Sequence, residues 1–185
     1  DPKRKDSMYP YPDLAGAGVA FKFLQALFHK DSREKWLAGL MELVVLATVT
    51  DLVTLVGENR YLVKKGLREL NNSSRVGIQE MGKLAGLKLG ELDTEDISWV
   101  LGPRLNAAGR MDNASTSYQL LTTQSPEEAR LLALELEEKN AERQKLTNEV
   151  LSRAREKLAA KLHLPVLIEG DESYSIGVIG LVAGK

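Results

Sequence analysis

Apolar and polar positions alternate along this chain with a helical period over most of its length, and the longest regular stretch begins at Ser125. In SPEEARLLALELEEKNAERQKLTNEVLSRAREKLAAKL a cap residue, a first-turn proline and two acidic residues precede uninterrupted helix formers. Leu132, Leu136, Leu146, Val150, Leu158 and Leu162 recur at helical spacing, whereas EEKNAERQK in the middle is polar on every face. This pattern predicts one helix over 125–163 that bridges two bodies, more than about 50 Å long at 1.5 Å per residue.

Upstream, LAGAGVAFKFLQALF predicts a helix with Val19, Phe23, Leu24 and Leu27 buried and with Gly16 and Gly18 as close-packing points. WLAGLMELVVLATVTDLVTL is apolar for most of its length; Trp36 to about Thr48 reads as a buried helix, although periodicity alone does not separate helix from strand in such a run. GENRYLVKKGLRELNNSS predicts a loop into an amphipathic helix ended by Asn71 to Ser74, Thr94 marks a helix start, and Asn113 to Thr122 reads as a short helix. After the long helix, LPVLIEG predicts a short strand, and DESYSIGVIGLVAGK a loop with a glycine-rich strand-to-helix turn. The expected class is therefore α/β.

The 185 residues, 43% hydrophobic, suffice for one substantial core or for one domain and part of another. The chain starts at Asp1 without methionine and stops just after GVIGLVAGK, which suggests a fragment. No apolar run is long enough to span a bilayer and the first residues are not signal-like, so a cytoplasmic protein with no membrane partner is expected. Without cysteine, any metal must be held by oxygen or imidazole. A net charge of −1 excludes nucleic-acid binding by bulk electrostatics and requires a local basic patch.

That patch is offered by LGPRLNAAGRM, Leu101 to Met111. Arg104 and Arg110 bring planar donor forks, Asn106 an amide, and Gly102 and Gly109 close backbone approach, a mixture suited to a phosphate-binding turn. The same arginines could equally be solvated or paired with Asp112. Asp51, set between apolar neighbours in ATVTDLVTL, needs a partner: it could cap a helix, pair with an arginine or ligate a metal. His29, in a polar turn, and His163, at the end of the long helix, make no catalytic pair, and no serine-hydrolase elbow, Walker loop or dinucleotide fingerprint occurs.

Taken in order, LAGAGVAFK, ATVTDLVTLVGENRYLVKKGL, LGPRLNAAGRM, the EEKNAERQK helix and IGVIGLVAG resemble the RecJ family of single-stranded-DNA exonucleases in the DHH phosphoesterase superfamily. The resemblance implies three parts: the C-terminal part of a DHH domain over 1–124, a connecting helix over 125–163, and the beginning of a DHH-associated α/β domain over 164–185. It also implies a 5′-to-3′ exonuclease acting on single-stranded DNA with a dinuclear Mn2+ or Mg2+ centre. Asp51 then falls on a metal ligand, Arg104 and Asp51 on catalytic positions, and Arg104, Asn106 and Arg110 on phosphate-binding ones. Single-strand-binding protein and a helicase are the implied protein partners.

The family's other metal-binding aspartates and its Asp-His-His triplet do not occur here, and Tyr174 stands where the family often has tryptophan. These residues alone are therefore expected to be inactive. Two other functions fit the same superfamily: a phosphodiesterase for short oligonucleotides or cyclic dinucleotides, and a catalytically dead homologue that binds DNA or a partner.

Overall fold

A computed structural model describes residues 2–28 and 34–185, and every regular element among them is helical. His29 lies outside the described residues. In chain order the helices are α1 (Gly16–Leu27), α2 (Glu34–Ala38), α3 (Met41–Thr50), α4 (Gly57–Asn71), α5 (Val76–Leu84), α6 (Thr94–Asp96), α7 (Gly102–Met111), α8 (Ser115–Thr122), α9 (Pro126–Leu158) and α10 (Ile176–Ala183). One π-helical turn, Ile97–Leu101, joins α6 to α7, and a 3-10 turn, Ala159–Lys161, ends α9.

The apolar run that left helix and strand open is α3, and it is the centre of the molecule. Val44, Val45, Leu46 and Val49 are buried on it, because α1, α4, the π turn and α7 cover its faces. A helix hydrophobic on nearly all sides is stable only when so enclosed. Its closest neighbour is α4, whose Gly66 allows that approach: a Cβ there would lie 2.5 Å from Val45 Cβ and 2.7 Å from the Met41 carbonyl oxygen. Leu62, Val63 and Leu70 continue the buried face of α4. Glu42, also buried on α3, pairs with Arg75, which donates as well to the Leu121 carbonyl at 3.0 Å, tying α3 to the ends of α5 and α8.

Helix α1 turns a different side inward from the one its sequence suggests. Gly18 and Phe21 are buried while Phe23 and Leu27 are exposed, since the absent side chain at Gly18 lets the helix settle against Leu14 and Leu62. Farther along, a helix starts at Thr94 as expected. Asp93 is the cap, accepting from the Glu95 and Asp96 amides, and Asp96 returns a bond to the Asp93 amide.

The long helix α9 is capped by Ser125 as expected and carries 33 residues. Its polar middle does not cross open solvent between bodies. Helices α5, α7, α8 and α10 pack along it, and Asn140, within EEKNAERQK, is only 2% exposed. Polar side chains there meet polar partners on the neighbouring helices, which a single-helix pattern cannot reveal.

The expected α/β class is met only by helix among the described residues. LPVLIEG forms no strand, and Ile168 stands 80% exposed. A strand needs a neighbour to take up its backbone N–H and C=O groups, and no second extended segment lies beside this one. Likewise IGVIGLVA is a helix approached by a loop, not by a strand. No helix among the described residues is long and apolar enough to cross a membrane.

Candidate functional site

LGPRLNAAGRM is not a turn. It is the helix α7, continued from α6 through the π turn, with Pro103 near its start, where the shifted hydrogen bonding of the π turn accommodates a residue with no N–H. Small residues let it pack closely: Ala107 and Ala108 are fully buried, and Gly102 lies against α3. A Cβ at Gly102 would stand 2.7 Å from Thr50 Oγ1, so the start of α7 is seated on the end of α3. Thr50 Oγ1 is buried there without a hydrogen-bond partner.

Asp51 follows directly. Its backbone N–H closes α3 by bonding to the Ala47 and Val49 carbonyls, while its side chain is exposed and takes no hydrogen bond or ion pair among the described residues. The carboxylate thus neither caps a helix nor meets an arginine. The next residue, Leu52, holds φ at 55° with its side chain 83% exposed, a left-handed conformation that costs a non-glycine residue about 1 kcal/mol or more. Such strain beside an unpartnered acid is a feature found at functional sites. Among the described residues no three acidic or histidine side chains gather to hold a metal ion, so Asp51 fits one oxygen ligand of a centre and not the whole.

The three basic and amide candidates divide between two faces of α7. Arg104 points to α9: its Nε and Nη2 donate to Glu137 at 2.6 and 3.2 Å, and its Nη1 donates to the Val100 carbonyl at 2.9 Å. Asn106 and Arg110, four residues apart, share an exposed face about 120–160° from Arg104 by helical rotation. Asn106 makes no side-chain hydrogen bond among the described residues, and Arg110 makes one long contact, 3.5 Å from Nη1 to the Gly177 carbonyl of α10. Gly177 is pressed onto α7, since a Cβ there would lie 2.2 Å from the Arg110 carbonyl oxygen. Asp112, the alternative partner for these arginines, is instead approached by Lys139 at 3.8 Å. His163 is exposed beyond the end of α9.

Two residues that sequence reasoning passed over complete this region. Arg143 on α9 donates from Nη2 to the buried Asn140 Oδ1 at 2.9 Å, while its Nε is buried with no acceptor. Burial, and then the positive charge of Arg110, pull the Arg143 pKa below its ordinary value. Their signal in sequence was the three-residue spacing of Asn140 and Arg143, which places both on one helix face.

Comparison with known proteins decides the family. The chain is 36% identical over its whole length to the single-stranded-DNA-specific exonuclease RecJ of Bacillus subtilis and 33% identical to that of Escherichia coli. The chain belongs to the RecJ family. It spans 23% of the Bacillus RecJ and 35% of the Escherichia one. A crystal structure of exonuclease RecJ bound to manganese superposes with a TM-score of 0.82 at 30% identity, over 99% of this chain and 46% of that one. The Thermus thermophilus RecJ in complex with Mn2+ gives 0.77 at 31% identity, over 91% and 25% of the two chains. A scan against protein-family models matches none.

Proposed function

We propose that this chain supplies the phosphate-handling wall of a metal-dependent 5′-to-3′ exonuclease that hydrolyses single-stranded DNA. The observation that carries the reading is the seating of α7 on the end of α3, which sets the unpartnered Asp51 carboxylate beside a helix whose Asn106 and Arg110 lie open. RecJ relatives named as single-stranded-DNA-specific exonucleases, and RecJ structures holding Mn2+ or Mg2+, support it.

In this reading Arg110 and Asn106 grip non-bridging phosphate oxygens, where an arginine fork strengthens as negative charge builds. Arg104, paired with Glu137, acts on the same strand by holding α7 in place and by its positive charge. Asp51 gives one oxygen to a Mn2+ or Mg2+ centre whose other ligands lie outside these residues; such a centre, when bound, supplies Lewis-acid activation. Residues 1–124 then form part of a DHH domain, 125–163 the connecting helix, and 164–185 part of a DHH-associated α/β domain in which LPVLIEG gains strand partners. The whole enzyme works in the cytoplasm, with single-strand-binding protein and a helicase as partners.

Manganese-dependent digestion of 5′-labelled single strands by the full-length protein tests this. Arg110→Ala is expected to cut kcat/KM by at least about tenfold, the loss of one charge-assisted contact to a phosphate. Asp51→Asn is expected to lower manganese occupancy by titration. Preference for dinucleotides over long strands, or unchanged kinetics in Arg110→Ala, would refute the assignment. The 185-residue chain by itself should not cleave.

A further inference from the structure

Acids and bases are almost balanced over the whole chain, 26 against 25, yet one helix face gathers cations. Helix α4 exposes Arg60, Lys64, Lys65 and Arg68 within about 12 Å, the rise from the first to the last at 1.5 Å per residue. None of the four meets a carboxylate among the described residues. Acids close by are spent elsewhere. Glu58 holds Lys22 at 2.8 Å and accepts from Tyr9 at 2.7 Å, and Glu42 pairs with Arg75, which leaves Glu69 as the acid at the far end of this face.

Charge alone would describe a solvated face. What separates this one is the aromatic groove beside it. Tyr61, Lys65 and Arg68, at i, i+4 and i+7 on α4, line a groove of about 510 Å3 whose other lining includes Phe28 at the end of α1, Leu37 of α2 and Met41 of α3. Tyr61 is more than half exposed, with Lys65 Nζ 5.2 Å from its ring centre. Beside the groove, Trp36 is also more than half exposed and meets Phe28 edge-on at 5.7 Å.

Resting on the exonuclease reading for the nature of the strand, we infer that this groove is a second, non-catalytic site for single-stranded DNA. The α4 cations take its phosphodiesters and Tyr61 stacks on a base. Sequence-independent single-strand sites combine a cationic track for the backbone with aromatic faces for the bases. Cations at helical intervals with an open ring among them suit a polymer that repeats a charge and a flat base together; an acidic peptide repeats the charge without the plane. Helix α4 packs antiparallel on α3, with Gly66 against Met41 and Val45, so the cationic face starts toward the Asp51 end of α3 and leads away from it. That direction suits a hold on the strand away from the bond to be cut.

Fluorescence anisotropy of a labelled oligo-dT with the full-length protein in EDTA, over a series of salt concentrations, tests this without turnover. Replacing Lys64, Lys65 and Arg68 together by Gln should weaken binding at least about tenfold. It should also reduce the slope of log affinity against log salt by about 2, at about 0.7 for each lost contact to a single strand. Tyr61→Ala should weaken binding about tenfold with the slope unchanged, and Tyr61→Phe should keep the wild-type affinity. These side chains lie on the surface, so unfolding temperatures should stay near that of the wild type. In manganese-dependent digestion the same variants should raise KM and keep kcat, since they touch neither Asp51 nor α7.

Wild-type affinity and slope in the triple variant would overturn the α4 site and leave the exonuclease reading standing. Unchanged strand binding with loss of binding to a labelled peptide rich in Asp and Leu would do the same, and would make the groove a protein dock. Failure of the wild type to bind the strand would overturn both.

Discussion

Glu137→Ala tests how α7 is held. The Arg104 side chain is 17% exposed and that of Glu137 36%, and two charge-assisted hydrogen bonds join them. Such bonds are each worth about 1.5–3 kcal/mol when shielded, and an exposed pair less than about 1 kcal/mol. With the carboxylate one-third in water, and with Arg104 keeping the Val100 carbonyl, the expected loss is about 1–2 kcal/mol. For a chain of this size that lowers the unfolding temperature by about 3–6 °C.

Urea denaturation of the single variants Glu137→Ala and Arg104→Met and of the double variant isolates the pair. A coupling of about 1–2 kcal/mol is expected, and one below about 0.3 kcal/mol would refute the claim that this bridge fastens α7 to α9. The cycle also bears on catalysis. Arg104→Ala in the full-length protein unpairs Glu137 as well as removing a cation, so its effect on the proposed activity must be compared with that of Glu137→Ala. Equal losses would mean that Arg104 acts by placing α7; a much larger loss in Arg104→Ala would mean that its charge reaches the substrate.

Gly177→Ala should push α10 off α7, because the new Cβ would meet the Arg110 carbonyl oxygen; faster amide hydrogen exchange over 176–183 is the expected outcome, and unchanged protection would refute the close approach. Leu52→Gly removes a left-handed non-glycine residue whose side chain packs on little, so stability by denaturation should rise by up to about 1 kcal/mol, and a clear loss would show that Leu52 is not strained. Hydrogen bonds from Lys157 and then Ser173 hold the Asp171 carboxyl well below the usual carboxylate range. A depressed folded-state pKa stabilises at pH values above the unfolded one, near 4, and that stabilisation fades as pH falls through the folded value. The fluorescence of Tyr174, stacked near Arg153 and Lys157, should therefore stay constant from pH 7 to about 4 and change only in stronger acid, whereas a transition at pH 5 would contradict the Asp171 contacts.

The amino-acid order by itself determined the helices whose signals are local. Ser125 with Pro126 set the start of α9, the apolar spacing of Leu62 and Leu70 set the inner face of α4, and ordered segments from LAGAGVAFK to IGVIGLVAG were enough to mark the family. Tertiary structure decided the rest, because it depends on what each side chain meets. The α3 run is a helix since neighbours enclose it, and LPVLIEG is no strand since nothing pairs with it. Arg104, Asn106 and Arg110 read alike in sequence, yet one is spent on Glu137 and the others lie open. Arg143 lies in a stretch that is polar on every face, and only the packing of the helices along α9 shows its Nε buried without an acceptor. Local pattern fixes where a helix forms, but the pairing of charges is a property of the distances between helices.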